Sequence, residues 1–172
     1  PARRKVSSRF RLEVLNKCHD RLPFDCGEEN LNRYFQSQVT QDYRRRIANC
    51  FVAINIESGK VAGYYTLASA SIPTSDLPDD ITKRLPRYPS IPAVRIGRIA
   101  VDKRFQSEGL GKALLADAAI KAITATPASF ALLVDAKDDK AMKFYQHHGF
   151  IPLSSSLKIL FLPLATAEKL LL

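Results

Sequence analysis

The stretch RFQSEGLGKALL, residues 104–115, sets two glycines two apart where strand-like sequence gives way to helix-like sequence. Gly109 and Gly111 lack a Cβ, so the backbone can turn tightly there and bring N–H groups close to a ligand. A helix starting at this point aims its positive dipole end, and its first unpaired N–H groups, at an anion. Phosphate is the first candidate, yet both common nucleotide patterns fail. Lys112 is followed by Ala113 where a P-loop needs Ser or Thr, and Leu114 stands where G-x-G-x-x-G needs its last glycine. On a helical wheel Asp117 and Lys121 share one face, as an ordinary i, i+4 pair, and this face is expected to be the solvated one. Lys112 lies roughly 140° to 180° away in the first turn, where a cation opposes the dipole unless an anion offsets it. A phosphate-neutralising role follows, with an outward-snorkelling lysine as its competitor.

A second stretch, KAMKFYQHHGF, carries the other reactive groups. Tyr145 falls on the stripe Ala141, Phe144, Tyr145, His148, which suits a core tyrosine, although a phenol is also a competent proton donor. His147 faces away from that stripe, and neither histidine has an Asp or Ser companion pattern, so both read as helix surface or partners of the C-terminal dipole. No glutamate stands out as a general base, and the alternatives are Glu13 or Glu57 folded inward or a chain of waters. A site without a strong base suits an α-amine with a pKa of about 7.7–8.0 over a lysine at about 10.4. Cys18, Cys26 and Cys50 lack metal or redox spacing and read as reduced, small, buried side chains with a structural role. No metal site is expected.

These groups need elements to hold them. FRLEVL (10–15) alternates as a strand does, and a helical pattern runs from Glu28 to about Arg46 through Leu31, Tyr34, Phe35, Val39, Tyr43 and Ile47. Two β runs, CFVAINI and VAGYYTLASASI, are joined by the hairpin-length ESGK. A proline-rich excursion from Pro73 to Pro92 contains one short helix candidate, DDITKRL. AVRIGRIAV (93–101) is a strand leading into the glycine turn and a helix from about Gly109 to Thr124. SFALLVDA has the continuous apolar character of a strand buried on both faces. Asp138 or Asp139 can cap the next helix and Gly149 can end it. FIPL and LKILFLPL read as the last strands, and ATAEKLLL as a terminal helix. The order predicts a mixed α/β sheet in one domain.

The 172 residues include 26 Lys and Arg against 17 Asp and Glu, a net charge of +9. Clusters at Arg3, Arg4 and Lys5, at Arg44, Arg45 and Arg46, and from Lys83 to Arg104 favour a polyanionic partner. There is no apolar run long enough for a membrane span and no apolar stretch after the basic start, so a cytoplasmic protein without membrane attachment is expected.

Two motifs in combination, Gln106-x-x-Gly109-x-Gly111 after the strand RIAV and Asp138-x-x-Ala141-x-x-Phe144-Tyr145-x-x-x-Gly149-Phe150 in the next helix, resemble the GNAT superfamily of acyl-CoA-dependent N-acetyltransferases over about residues 8–163. The resemblance implies a single-domain α/β fold over 1–172, with a central, mostly antiparallel, splayed sheet flanked by helices. It implies that Gln106, Ser107, Glu108, Gly109, Leu110, Gly111 and Lys112 wrap the pyrophosphate of acetyl-CoA. It implies further that the strand at Ile99, Ala100 and Val101 pairs with the pantetheine arm, and that a backbone N–H near Val101 meets the developing oxyanion. Ala141 and Phe144 complete the cofactor site. Asp138 is counted with them as a cofactor-binding residue, although many relatives carry Asn at this place and the sequence departs from the pattern there. Tyr145 becomes the general acid that protonates the leaving thiolate.

Four longer stretches, PFDCGEENLNRYF, VAGYYTLASASI, IGRIAVDKRFQSEGLGKALLADA and LFLPLATAEKLL, are similar to the GNAT toxins of bacterial toxin–antitoxin pairs. This resemblance implies acetylation of the α-amine of aminoacyl-tRNA, blocked translation, a homodimer, and neutralisation by a ribbon-helix-helix antitoxin. Arg87, Arg95, Arg98 and Arg104 are the tRNA candidates. Arg95 and Arg98 share a surface only if a bulge near Gly97 intervenes. The alternatives are a GNAT enzyme acting on a small amine or a protein N-terminus, and a non-catalytic binding module of the same fold.

Overall fold

The computed structural model describes Arg4–Lys5 and residues 9–171. Arg3 of the first basic cluster therefore lies outside the described residues. The chain divides into two compact units, Pro1–Ala68 with Gly97–Asp117, and Ser69–Ile96 with Ala118–Leu172.

In the first unit β1 (Arg4–Lys5), β2 (Phe10–Val14) and β3 (Asn49–Asn55) are successive antiparallel neighbours, and β4 (Val61–Pro73) pairs with β3 over Val61–Leu67. The predicted hairpin is present, closed by Asn55 N–H to Lys60 O at 2.9 Å with Gly59 in the left-handed region. One face of these strands carries Val52, Ile54, Val61 and Tyr64, which bury themselves with Phe24, Tyr34, Phe35, Val39 and Cys50. Phe35 lies flat on Tyr64 at 4.3 Å between ring centroids, and Phe24 meets both edge-on. Burial pushes the Cys50 thiol up to about 12, in keeping with a structural cysteine, and Cys26 is buried too, but Cys18 is exposed in the loop after β2, against the expectation of burial.

The helix predicted from Glu28 to Arg46 is interrupted. α1 (Glu29–Arg33) passes into a π turn, Tyr34–Gln38, before α2 (Val39–Arg44). The Val39 N–H reaches back five residues to Tyr34 O, which lays Val39 over Tyr34 with both buried. The expected stripe fails at its far end, because Tyr43 and Ile47 are exposed, 56% and 61%. The inward position of the last turn belongs instead to Asp42, which accepts a 2.8 Å hydrogen bond from the Tyr34 hydroxyl. Arg46 then takes φ 60°, and the pair Ile47 N–H to Asp42 O and Arg46 N–H to Tyr43 O closes a Schellman cap that turns Ile47 off the helix axis.

In the second unit β5 (Ser90–Val101) pairs parallel with β6 (Ala131–Asp135) over Ala93–Ile96, and β6 and β7 (Ile151–Pro152) both pair antiparallel with β8 (Ile159–Pro163). All other pairings described here are antiparallel, so the mostly antiparallel mixed α/β class holds. Beyond Ile96 the paired register ends while β5 runs on to Val101, as a splayed strand must. The proline-rich excursion contains a 3-10 turn, Thr74–Asp76, and one α-helical turn, α3 (Asp79–Thr82), and the segment packs through Leu77, Ile81 and Leu85 onto Ile72, Ile91, Leu133 and Phe161. α4 (Leu110–Thr124), α5 (Asp139–His147) and α6 (Leu164–Leu171) stand where the sequence places them.

Candidate active site

The glycine turn is built in the first unit from β5 onward. After Val101, Asp102 caps a short 3-10 turn, Lys103–Phe105, by accepting from the Arg104 N–H at 2.9 Å. The same carboxylate takes the Asp25 N–H at 3.0 Å and both Arg104 Nε and Nη2 at 2.9 Å. Burial pushes the Asp102 carboxyl up, but the Arg104 guanidinium and two backbone N–H groups outweigh burial and hold it below the usual range. Gln106 ties the next residue down, its side-chain amide donating to Val101 O at 3.0 Å and Cys26 O at 3.2 Å. Gln106 is thus a strut of the turn, and a ligand contact from that amide competes with both bonds.

Ser107 and Gly109 both adopt left-handed φ, 65° and 77°. A Cβ at Gly109 would meet nothing within 4 Å, so the concave side of the turn is open. The first bond of α4 is Ala113 N–H to Gly109 O at 3.2 Å, which leaves the N–H groups of Leu110, Gly111 and Lys112 without a helical partner. Lys112 is exposed beside them. Alternating positive φ with outward N–H groups at a helix start makes a concavity for phosphate oxygens. The residues present therefore fit a pyrophosphate. Glu108, an anion in such a place, is neutralised by Arg9 at 2.5 Å. Leu110 points inward, and Gly63 lets β4 approach here, since a Cβ on it would sit 3.0 Å from Ala100 O and from Leu114.

One expectation about α4 is overturned. Asp117 is buried, not solvated, and accepts a 2.5 Å hydrogen bond from the Tyr65 hydroxyl. The helical wheel gives the angle between Asp117 and Lys112 correctly, but the side carrying Asp117 faces inward and Lys112 is exposed for that reason.

The second unit carries the tyrosine helix. Asp138 is the N-cap of α5, its Oδ1 accepting from the Ala141 N–H at 2.7 Å, so this carboxylate is committed to the helix. Tyr145 is 6% exposed, its ring between Phe144 and Phe150 at 5.4 Å from each. Among the described residues its hydroxyl has no protein partner, while no buried side-chain polar atom is left unsatisfied. The ring is thus sealed and the oxygen open. Burial, and then the charge of Asp135, push the phenol up to about 12, which keeps it protonated at neutral pH. Phe144 stacks edge-on against His148, and His147 is exposed, as expected for helix surface.

The four arginines fall in different settings. Arg98 lies 3.5 Å over the Tyr34 ring, and its backbone N–H donates to Thr66 Oγ1, a side-chain substitute for a ladder bond beside Gly97. Arg104 is engaged by Asp102. Arg87 is exposed in the loop after α3, and Arg95 is half-buried on β5 in the second unit. Of the two glutamates considered as bases, Glu57 is exposed on the hairpin turn. Glu13 is bound by His19 at 2.6 Å and Arg11 at 3.0 Å, which outweigh burial and hold it ionised below the usual range. Sequence reading missed Asp102 and Thr66; the Asx cap in VDKRF was the visible signal for the first. Among the described residues there is no group of side chains able to hold a metal ion and no helix long and apolar enough to cross a membrane.

The acetyltransferase (GNAT) domain family matches residues 24–159. The chain is 32% identical over 138 residues to a tRNA-acetylating toxin of Mycobacterium tuberculosis, covering 79% of this chain and 81% of that protein. It superposes with a TM-score of 0.85 and 31% identity on AtaT complexed with acetyl-methionyl-tRNAfMet, covering 95% and 99% of the two chains. It also superposes, with a TM-score of 0.77 and 28% identity over 95% and 98%, on a tyrosine-to-phenylalanine variant of AtaT bound to the C-terminus of the antitoxin AtaR and acetyl-CoA. The phosphate-type turn and the open phenol thus occur in a chain that belongs to the GNAT acetyltransferases.

Proposed function

We propose that this protein is a toxin that transfers the acetyl group of acetyl-CoA to the α-amino group of aminoacyl-tRNA in the cytoplasm, and so inhibits translation. The observation that carries the reading is the likeness to AtaT, solved with an acetylated aminoacyl-tRNA, across 95% of this chain. Acetyl-CoA, when bound, supplies an activated thioester. The amides of Leu110, Gly111 and Lys112, with the Lys112 ammonium, hold its pyrophosphate, and main-chain groups of Ile99, Ala100 and Val101 orient its arm. Ala141 and Phe144 pack against it. Tyr145 holds a proton at Oη at neutral pH, as an ordinary phenol also would, and donates it to the departing sulfur.

Neither Glu13 nor Glu57 is poised as a base, which favours an amine already partly neutral at pH 7, with a pKa of about 7.7–8.0 rather than about 10.4. The net charge of +9 suits a polyanionic substrate, with Arg87, Arg95, Arg98 and Arg104 as contacts. Residues 1–172 form one acetyltransferase domain. The protein acts as a homodimer and is neutralised by a ribbon-helix-helix antitoxin, as the toxin resemblance implies; the AtaT variant bound to its antitoxin supports an antitoxin partner.

The test is incubation with labelled acetyl-CoA and total charged tRNA. Label is expected on the aminoacyl moiety, released with it by mild base. Label on free polyamines or on protein N-termini instead would sink the tRNA reading in favour of a small-amine or N-terminal acetyltransferase.

A further inference from the structure

The first unit contains a cleft of about 440 Å³ that the acetyl-transfer chemistry does not use. Its walls include Lys17, His19, Arg21, Tyr43 and Arg44, and the buried Cys50 lies at its floor. None of its lining residues is acidic. The size falls within the range of about 300–1,000 Å³ usual for small-ligand sites.

Two of its polar residues are held in place. Arg21 Nη1 donates to Phe35 O at 2.9 Å, and the His19 ring is fixed between Glu13 at 2.6 Å and the Asn16 N–H at 3.0 Å. Lys17 and Arg44 are exposed at the rim, and among the described residues neither has a carboxylate within ion-pair reach. Tyr43 lines the same cleft. Periodicity assigns this ring to the core, yet it is 56% exposed on the last turn of α2, fixed at its backbone by the Schellman cap through Arg46. An exposed aromatic ring in the company of cations is how proteins hold unpaired nucleotides, because every base has a face to stack and every linkage a phosphate to neutralise.

We propose that this cleft is a nucleotide subsite for single-stranded RNA, in which Tyr43 stacks an unpaired base and Lys17 and Arg44 hold the phosphates on either side of it. The inference rests on the aminoacyl-tRNA reading only for which RNA is meant, namely the unpaired end of the substrate. It adds a specificity-determining surface in the first unit, built from residues other than those of the glycine turn.

The test uses the full chain and a fluorescein-labelled single-stranded RNA ending in CCA, followed by anisotropy with no acetyl donor present. Tyr43→Ala is expected to weaken binding between about fivefold and about 150-fold, the range for losing one stacked base. Tyr43→Phe keeps the platform and stays within about twofold by the same reasoning. Arg44→Gln weakens binding and lowers the salt slope by about 0.7, one phosphate contact on a single strand. Far-ultraviolet circular dichroism and melting of each variant check that the fold is intact, which the exposure of Tyr43 and Arg44 leads one to expect.

Unchanged RNA affinity in Tyr43→Ala overturns the proposal even if Arg44→Gln binds less, since charge alone then accounts for binding. A poly-glutamate peptide that displaces the RNA and binds Tyr43→Ala as tightly as the unaltered protein also overturns it, in favour of an acidic peptide site. Neither result touches the acetyl-transfer reading, and failure to acetylate charged tRNA leaves this binding measurement as it stands.

Discussion

Replacing Tyr145 by Phe removes one oxygen atom from a ring that is 6% exposed and packed between Phe144 and Phe150. That oxygen has no protein partner among the described residues, so no buried acceptor is orphaned and stability should change by no more than about 0.5 kcal/mol. Catalysis should change far more. A positioned general acid contributes about 10²- to 10⁴-fold, or about 3–5 kcal/mol of barrier. Turnover with labelled acetyl-CoA and charged tRNA is expected to drop by that factor, while acetyl-CoA affinity by titration calorimetry stays within about twofold, because the phenol donates only as the thiolate leaves.

The raised pKa adds an independent check. The protonated phenol is the active form, so activity that depends on it is lost as pH rises through the folded-state pKa, about 12 and not the usual value near 10. At pH 10 an ordinary tyrosine would be about half ionised, and Tyr145 only about 1%. The difference in near-ultraviolet phenolate absorbance between the unaltered protein and Tyr145→Phe should therefore show no titration around pH 10. Undiminished turnover in the variant removes Tyr145 from the mechanism, and a phenolate step near pH 10 refutes the burial argument even if turnover falls.

Asp102→Asn strips Arg104 of its carboxylate and sets an amide against donors from Asp25 and Arg104, at a cost of about 2–3 kcal/mol in urea unfolding at pH 7. Because the folded-state pKa of Asp102 is depressed, its contribution is present above the unfolded value near 3.9 and lost as pH falls through the folded one. The gap between variant and unaltered protein should accordingly narrow below about pH 4, and a gap that is the same at pH 3 and pH 7 contradicts the charge argument. Arg46→Gly relieves a left-handed residue, worth about 1–2 kcal/mol, against about 0.5–1 kcal/mol of added freedom in the unfolded chain. A rise of about 0.5–1 kcal/mol in thermal stability is expected, and a fall would mean that the Arg46 side chain makes contacts worth more than the strain.

What could be read in advance was whatever depends on neighbours in sequence. The Asp138 cap, the Gly109 turn and the start of α4 are decided within a few residues, and each was placed to within one or two positions. The apolar character of β6 likewise announces burial on both faces. Polar residues were read less well, because their fate depends on partners far along the chain. The helical wheel gives Asp117 and Lys121 the same side of α4, but only Tyr65, 52 residues earlier, decides that Asp117 is buried. Asp102 is similar, since the Asp25 N–H that helps bury it lies 77 residues away.

Tyr43 shows the same limit from the apolar side. Its spacing from Phe35 and Val39 is that of a core residue, yet the last inward place in α2 is taken by Asp42, which the Tyr34 hydroxyl satisfies. A carboxylate with a buried phenol to accept from can occupy a position that hydropathy alone would give to the aromatic ring. The exchange leaves a tyrosine in solvent in a cleft it shares with Lys17 and Arg44, and it is that company of cations, not exposure alone, which points to a stacked base.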